Sequence, residues 1–284
     1  VSDDFTADAE RVAALALAED GSRDVTSDAT VAPGTQARGR IEYRSGGVVA
    51  GRAYADAVAR AAGCRITWRV EEGGTAAPGA VIGDVEGALS DLLRAERPML
   101  NLLQRACGIA NATRAYVAAV AATPARILHT RKTAPGLRRL DVAAVLAAGG
   151  AAHRLDLATT VMVKDNHWQA LAAARRSLRA ALDRARAAGV AGLQVEVESE
   201  AQLREACEAG ATRLLVDNQT PETVARWASL ARTLAPGIEI EATGGITLDN
   251  VRAYATAGAD YISIGALTHT VRAADLALEI TPPQ

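Results

Sequence analysis

The chain has 284 residues, 49% of them hydrophobic and 23% charged, with a formal net charge of −2. These are the values of an ordinary globular chain of one large or two smaller domains. They exclude the broad basic field that general nucleic-acid binding needs, and no apolar run approaches the roughly 20 residues that span a bilayer.

The N-terminal stretch VSDDFTADAERVAALALAEDG is acidic and has no basic region ahead of an apolar one. It is therefore not read as a secretory signal. Cys64, Cys107 and Cys207 are odd in number and far apart, and no Cys/His spacing resembles a zinc site. The expected compartment is reducing, the cytoplasm. Aromatics make up only 3% of the chain, so the core must be built from Ala, Leu, Val and Ile.

Residues 8–19 carry a helical period, with Val12, Leu15 and Leu17 set against Glu10, Arg11 and Glu19. A polar run, EDGSRDVTSDAT, follows. Between residues 36 and 85 the short strand-like pieces ARGRIEY, GGVVAG, CRITWRV and AVIGDVEG are separated by Gly-rich turns. One helical insert lies over 54–62, and the whole predicts a small α+β domain. Helical pattern returns over 89–121, where Pro98 either starts or kinks the helix. The domain boundary is placed near here.

Beyond Thr123 strands and helices alternate. The strand candidates are RILHT (126–130), TVMVKD (160–165), LQVEVE (193–198), RLLVDN (213–218), IEIEAT (238–243) and YISIG (261–265), with a further short one at 151–154. WQALAAARRSLRAALDRARAAG is one of the intervening helical segments. Repeated βα units with right-handed crossovers make a parallel sheet. Six or seven of them predict a closed or nearly closed α/β barrel with fewer than the usual eight strands. A doubly wound open sheet is the alternative, and the missing Gly-x-Gly-x-x-Gly weakens a dinucleotide reading.

The charged chemistry concentrates in residues 126–167. Of the 31 Lys and Arg residues only Lys132 and Lys164 are lysines, and both fall here with His129, His153 and His167. Arg126, Arg131, Lys132, Arg138, Arg139, Arg154 and Lys164 face only Asp141, Asp156 and Asp165 in sequence. A run of charge usually means a solvated face. Here strand-like and Gly/Pro segments interrupt it, and both lysines end strands, the position of the active-site mouth in α/β barrels. Gly244, Gly245 and Gly265 follow the last two strands, the usual place for a phosphate. Glu196 and Glu198 share one strand face, as do Glu239 and Glu241, and Asp217 ends the strand between. Pairing with barrel arginines is one account of these carboxylates. Holding ribose hydroxyls, coordinating Mg²⁺ or stabilising an oxocarbenium-like transition state is the other. A cationic wall, a phosphate cradle and an acidic wall together suit a phosphorylated sugar and a second, polyanionic partner.

The pieces ERPMLNLLQRACGIA, TRKTAPGLR, AAHRLDLATTVMVKDNH, VEVES, LLVDN, ATGGI and ISIGALTHTV, in this order and spacing, closely resemble quinolinate phosphoribosyltransferase (decarboxylating), also called nicotinate-nucleotide pyrophosphorylase. The resemblance runs from about Glu19 to Ile280. It implies an N-terminal α+β open sandwich domain over 1–105 and a C-terminal incomplete, six- to seven-stranded α/β barrel over 106–284. It also implies transfer of a phosphoribosyl group from 5-phosphoribosyl-1-diphosphate to quinolinate with decarboxylation, in NAD biosynthesis. The implied cofactor is Mg²⁺ and the implied assembly a homodimer or larger homo-oligomer. Arg131, His153 and Arg154 would hold the acid, with Thr130 beside them and Arg97 reaching in from the neighbouring subunit. Lys132 and Lys164 would face carboxylate and diphosphate, and Glu196 and Asp217 the ribose, the metal and the anomeric charge. Thr243, Gly244, Gly245 and Gly265 would cradle the 5-phosphate. The chain departs from the family's pattern at His129, usually Asp, at Ala152, usually Asn, and at Asp156, usually Gly. Two further readings therefore stay open: a related phosphoribosyltransferase for another aromatic carboxylic acid, and a non-catalytic anion-binding homologue.

Overall fold

The structure is a computed structural model that describes residues 3–281. In chain order the elements of the N-terminal part are α1 (Asp3–Glu19), α2 (Val25–Thr30), β1 (Gln36–Tyr43), β2 (Gly47–Val48), α3 (Arg52–Ala61), β3 (Arg65–Trp68), β4 (Thr75–Ala76), β5 (Ala80–Ala88) and α4 (Leu89–Val120). Then follow β6 (Arg126–Leu128), α5 (Arg138–Ala147), β7 (Thr160–Val163), α6 (Asp165–Ala173), α7 (Leu178–Ala187), β8 (Gly192–Val197) and α8 (Glu200–Glu208). The chain continues through β9 (Arg213–Asp217), α9 (Pro221–Leu234), β10 (Glu239–Thr243), α10 (Val251–Thr256), β11 (Tyr261–Ser263), α11 (Ala266–His269) and β12 (Leu276–Thr281). Two compact units interleave along it. One is made of the chain up to Arg114, Lys132–Gly149 and the chain from Ala266 on; the other of Ala115–Arg131 and Gly150–Gly265.

The first unit is an α+β domain around an antiparallel sheet of order β12-β1-β5-β3. Alternation along β1 buries Ala37, Ile41 and Tyr43 and exposes Arg38 and Arg40, the period-2 pattern of a sheet with one covered face. Tyr54, Leu92, Met99 and Leu103 are also fully buried. Each such side chain contributes about 1.5–3 kcal/mol relative to exposure. The polar run after α1 forms α2, whose N-terminus is capped by Asp24 accepting from Thr26 N at 3.0 Å and Ser27 N at 3.1 Å. Helix α4 continues through Pro98, whose nitrogen has no hydrogen for the Arg94 carbonyl. The last strand, β12, returns to pair with β1, Leu276 opposite Tyr43.

The second unit is a six-stranded parallel sheet of order β6-β11-β10-β9-β8-β7, an incomplete α/β barrel. One face of its strands is apolar: Leu193, Val195, Val197, Leu214, Val216, Ile240, Ala242 and Ile262 are all buried. The other face carries Glu196, Leu215 and Glu241 in one row and Asp217 and Thr243 in the next. The strand expected at 151–154 is reduced to one parallel bridge, Ala151 with Leu128. The reason is local. Beyond Ala151 the backbone N–H groups of His153 and Arg154 go to imidazole nitrogens instead of a strand partner. The segment WQALAAARRSLRAALDRARAAG is two helices, not one. Arg175 takes a left-handed φ of 50°, and Ser177 caps α7 by accepting from Ala180 N at 3.2 Å. Among the described residues no helix is long and apolar enough to cross a membrane.

Candidate active site

Thr130 and Arg131 follow β6, Lys164 follows β7, Glu196 lies in β8, Asp217 ends β9, Thr243 ends β10 and Gly265 follows β11. All are at or near C-terminal ends of parallel strands in one sheet, so the topology collects them on one rim. Arg97 and Lys132 belong to the other unit. There Arg97 is exposed on α4, its Nη2 3.9 Å from Glu96 Oε1. The Lys132 carbonyl accepts from Thr268 Oγ1 at 2.8 Å.

Lys164 Nζ forms an ion pair with Glu196 Oε2, the carboxylate being buried. The KDNH sequence fixes this lysine by capping α6: His167 Nδ1 accepts from Lys164 N at 3.0 Å. Trp168 Nε1 then donates to the Glu196 carbonyl at 2.9 Å, tying the helix to β8. Burial pushes the Asp217 carboxyl above its ordinary range, and the charges of Glu196 and Glu198 add to this while Lys164 opposes it. The site thus gathers more negative charge than its lysine balances.

Two guanidinium groups form the opposite character. Arg154 donates from Nη1 to Thr160 O at 3.0 Å and contacts Met162 Sδ at 3.3 Å. Burial, and next the charge of Arg131, lower its pKa from the usual arginine value. The Nε atoms of both Arg131 and Arg154 are buried without a hydrogen-bond partner among the described residues. A buried donor left unmade is costly, and two like charges add to that cost. An anion with several acceptor oxygens would satisfy both.

His153 has both ring nitrogens engaged. Nδ1 accepts from Arg154 N at 2.8 Å, and Nε2 lies 3.4 Å from Glu241 Oε2. Glu241 also accepts from Ser263 Oγ at 2.5 Å and Arg213 Nη1 at 3.2 Å. Burial works against its ionisation, but His153, Ser263 and Arg213 outweigh it and hold the carboxyl below the usual range. Arg213 pairs in turn with Glu239 at 2.8 Å and stacks over the Tyr261 ring. Pairing with a barrel arginine therefore accounts for Glu239 and in part for Glu241. Sequence reasoning missed Arg213 and Ser263. Their signal was register: each occupies the same face as Glu239 and Glu241 on a neighbouring strand. Asp156 is exposed and its Oδ1 accepts from Ala158 N at 2.9 Å, yet its charge reaches Arg154.

Gly244 and Gly245 have φ of 84° and 61°. A Cβ on Gly244 would collide with Asn218 Oδ1, and Asn218 N donates to the Thr243 carbonyl at 3.0 Å. Residues 246–250 separate this turn from α10, with Asn250 Oδ1 accepting from Thr247 N at 2.8 Å. Gly244→Ala is expected to cost about 1–3 kcal/mol of stability from backbone strain, read by urea denaturation. An unchanged midpoint would show that the turn is not so constrained.

All three cysteines are buried, and burial pushes the Cys64 and Cys107 thiols up to about 11 and about 12. Neither is a thiolate nucleophile at neutral pH. Among the described residues no group of three His, Cys, Asp or Glu is arranged to hold a metal alone.

A family model described as the C-terminal domain of quinolinate phosphoribosyl transferase matches residues 109–279, and one for the N-terminal domain matches residues 24–107. The nicotinate-nucleotide pyrophosphorylase [carboxylating] of Mycobacterium leprae is 41% identical over 265 residues, covering 90% of this chain and 91% of that protein. The human protein of the same description is 39% identical over 241 residues, covering 84% and 80%. Among solved structures, NadC from Streptococcus pyogenes is 31% identical with a TM-score of 0.87, covering 96% of each chain. The Francisella tularensis nicotinate-nucleotide pyrophosphorylase is 28% identical with the same TM-score, covering 99% and 98%. These matches and the rim define a phosphoribosyltransferase. More narrowly, the chain belongs to the quinolinate phosphoribosyltransferase, or nicotinate-nucleotide pyrophosphorylase, family.

Proposed function

We propose that this protein transfers the phosphoribosyl group of 5-phosphoribosyl-1-diphosphate to quinolinate and decarboxylates the product to nicotinate mononucleotide. The observation that carries the reading is the pair Arg131 and Arg154, each with a buried Nε that lacks a partner among the described residues. Quinolinate has two adjacent carboxylates, and the planar guanidinium is the side chain best suited to hold them. Lys164 supplies positive charge for the departing diphosphate, and Lys132 is assigned to the same anions. The turn at Thr243–Gly245 is assigned to the 5-phosphate through its backbone N–H groups, with Gly265 placed beside it.

The ring nitrogen's lone pair forms the bond to the anomeric carbon as the bond to diphosphate breaks. Glu196 and Asp217 stabilise the positive charge that develops there. The ring is then a pyridinium. The bond from C2 to its carboxylate breaks, the electron pair passes to the ring, CO₂ leaves and a proton takes its place at C2. The protein's part in this second step is to orient the carboxylate and exclude water.

Glu196 and Asp217 also fit Mg²⁺. They are hard oxygen donors, Asp217 is crowded by like charge, and Mg²⁺ is usually bound by one or two carboxylates together with substrate phosphates. Bound there, it would neutralise charge on the diphosphate. Arg97 is proposed to act on a neighbouring subunit's acid within a homodimer or larger assembly in the cytoplasm.

A second reading, transfer to another aromatic acid, is favoured by the Asp156 charge beside Arg154. A panel of pyridine and azole carboxylates separates the two. The expected result is a kcat/KM for quinolinate well above every other acid; a better acid from the panel would replace the substrate assigned here.

A further inference from the structure

We propose that His129, His153 and Glu241 form a buried positioning chain that sets the Arg154 guanidinium, and so helps determine which acid the rim accepts. The proposal rests on the phosphoribosyl-transfer reading. Its observation is that two consecutive backbone N–H groups are each satisfied by a histidine ring. His153 N donates to His129 Nε2 at 2.9 Å, and Arg154 N donates to His153 Nδ1 at 2.8 Å.

A nitrogen that accepts a hydrogen bond cannot carry the proton, so the two rings must hold opposite tautomers. His129 is protonated on Nδ1, which lies 3.4 Å from the Thr130 carbonyl. His153 is protonated on Nε2, which faces Glu241 Oε2 at 3.4 Å. Glu241, only 1% exposed, thereby selects the His153 tautomer whose Nδ1 is free to accept from Arg154. Ser263 and Arg213 fix Glu241 in turn. His129 is fully buried, and its bond to His153 N gives it a route to Arg154 through the backbone. The main chain of residues 153 and 154 is thus anchored at both amides. The arginine that leaves it is aimed through that anchored backbone.

Two measurements test this on the whole protein. Long-range ¹H–¹⁵N spectra of the imidazoles, of which the chain has only four, should show His129 as the Nδ1–H form and His153 as the Nε2–H form. The same tautomer in both rings would overturn the chain. In kinetics, His129→Leu removes the acceptor and is expected to raise the acid's KM about five- to hundredfold. The KM of the ribosyl donor should stay within about twofold. His129→Gln, whose Oε1 can accept, should recover most of the loss, and Glu241→Gln should move the acid's KM in the same direction as His129→Leu. An unchanged acid KM in His129→Leu, or a parallel rise of both KM values with no rescue by glutamine, would contradict the proposal. Should the wild-type protein show opposite tautomers but turn over no quinolinate, the substrate reading fails and the chain stands. The acid KM of whichever substrate it accepts then carries the kinetic arm.

Discussion

Arg131→Ala is expected to lower kcat/KM by about 30- to 3,000-fold while the protein stays folded. The range follows from the roughly 2–5 kcal/mol lost when one partner of a buried charge pair is truncated, at about 1.4 kcal/mol per tenfold. Without substrate this arginine has no hydrogen bond at Nε and repels Arg154. Its removal is therefore expected to leave the fold intact. Arg131→Lys keeps the charge and loses the planar fork, so it should recover only part of the activity. Steady-state kinetics beside a urea midpoint reads both effects. A variant with wild-type rates would remove Arg131 from the acid site, and one that fails to fold would make it a structural residue.

Arg105→Ala is expected to do the reverse, destabilising the first unit by about 3–5 kcal/mol. Asp141 is fully buried, and Arg105 holds it with two parallel hydrogen bonds of 2.7 Å. Arg105 also donates to the Thr268 carbonyl at 3.1 Å, and Asp141 accepts from Ala134 N at 3.3 Å. Together they tie α4, α5 and α11 within that unit. Burial already pushes the Asp141 carboxyl up, with Arg105 opposing; without the guanidinium an unpaired buried carboxylate remains. Replacing both residues by apolar ones of similar volume should recover much of the loss, because the penalty is chiefly that of the abandoned charge. Denaturation of the single and double variants measures it. Equal losses in both would instead assign the stability to the pair's attraction.

The barrel was legible because its strands are short, β-branched and end in polar residues, and the sheet's six strands fall where that pattern places them. Lys164 stood out because ordinary surface positions in this chain carry arginine. What stayed hidden depends on register between distant segments. Arg213 begins a strand and carries no motif of its own; only its alignment opposite Glu239 makes it an ion-pair partner. His153 showed a basic motif but not that its nitrogens are occupied by Arg154 N and Glu241. β12 has no turn signal ahead of it, and its partner β1 is far away in the sequence. The break between α6 and α7 was masked by a continuous run of Ala and Arg, which favour helix on both sides of the Ser177 cap.

The most direct test of the reaction is product stoichiometry. Folded protein, Mg²⁺, 5-phosphoribosyl-1-diphosphate and quinolinate should release CO₂ and diphosphate in equal amounts, with nicotinate mononucleotide as the third product, and nicotinate in place of quinolinate should give little turnover. Diphosphate release without CO₂, or turnover of nicotinate at the quinolinate rate, would contradict the account.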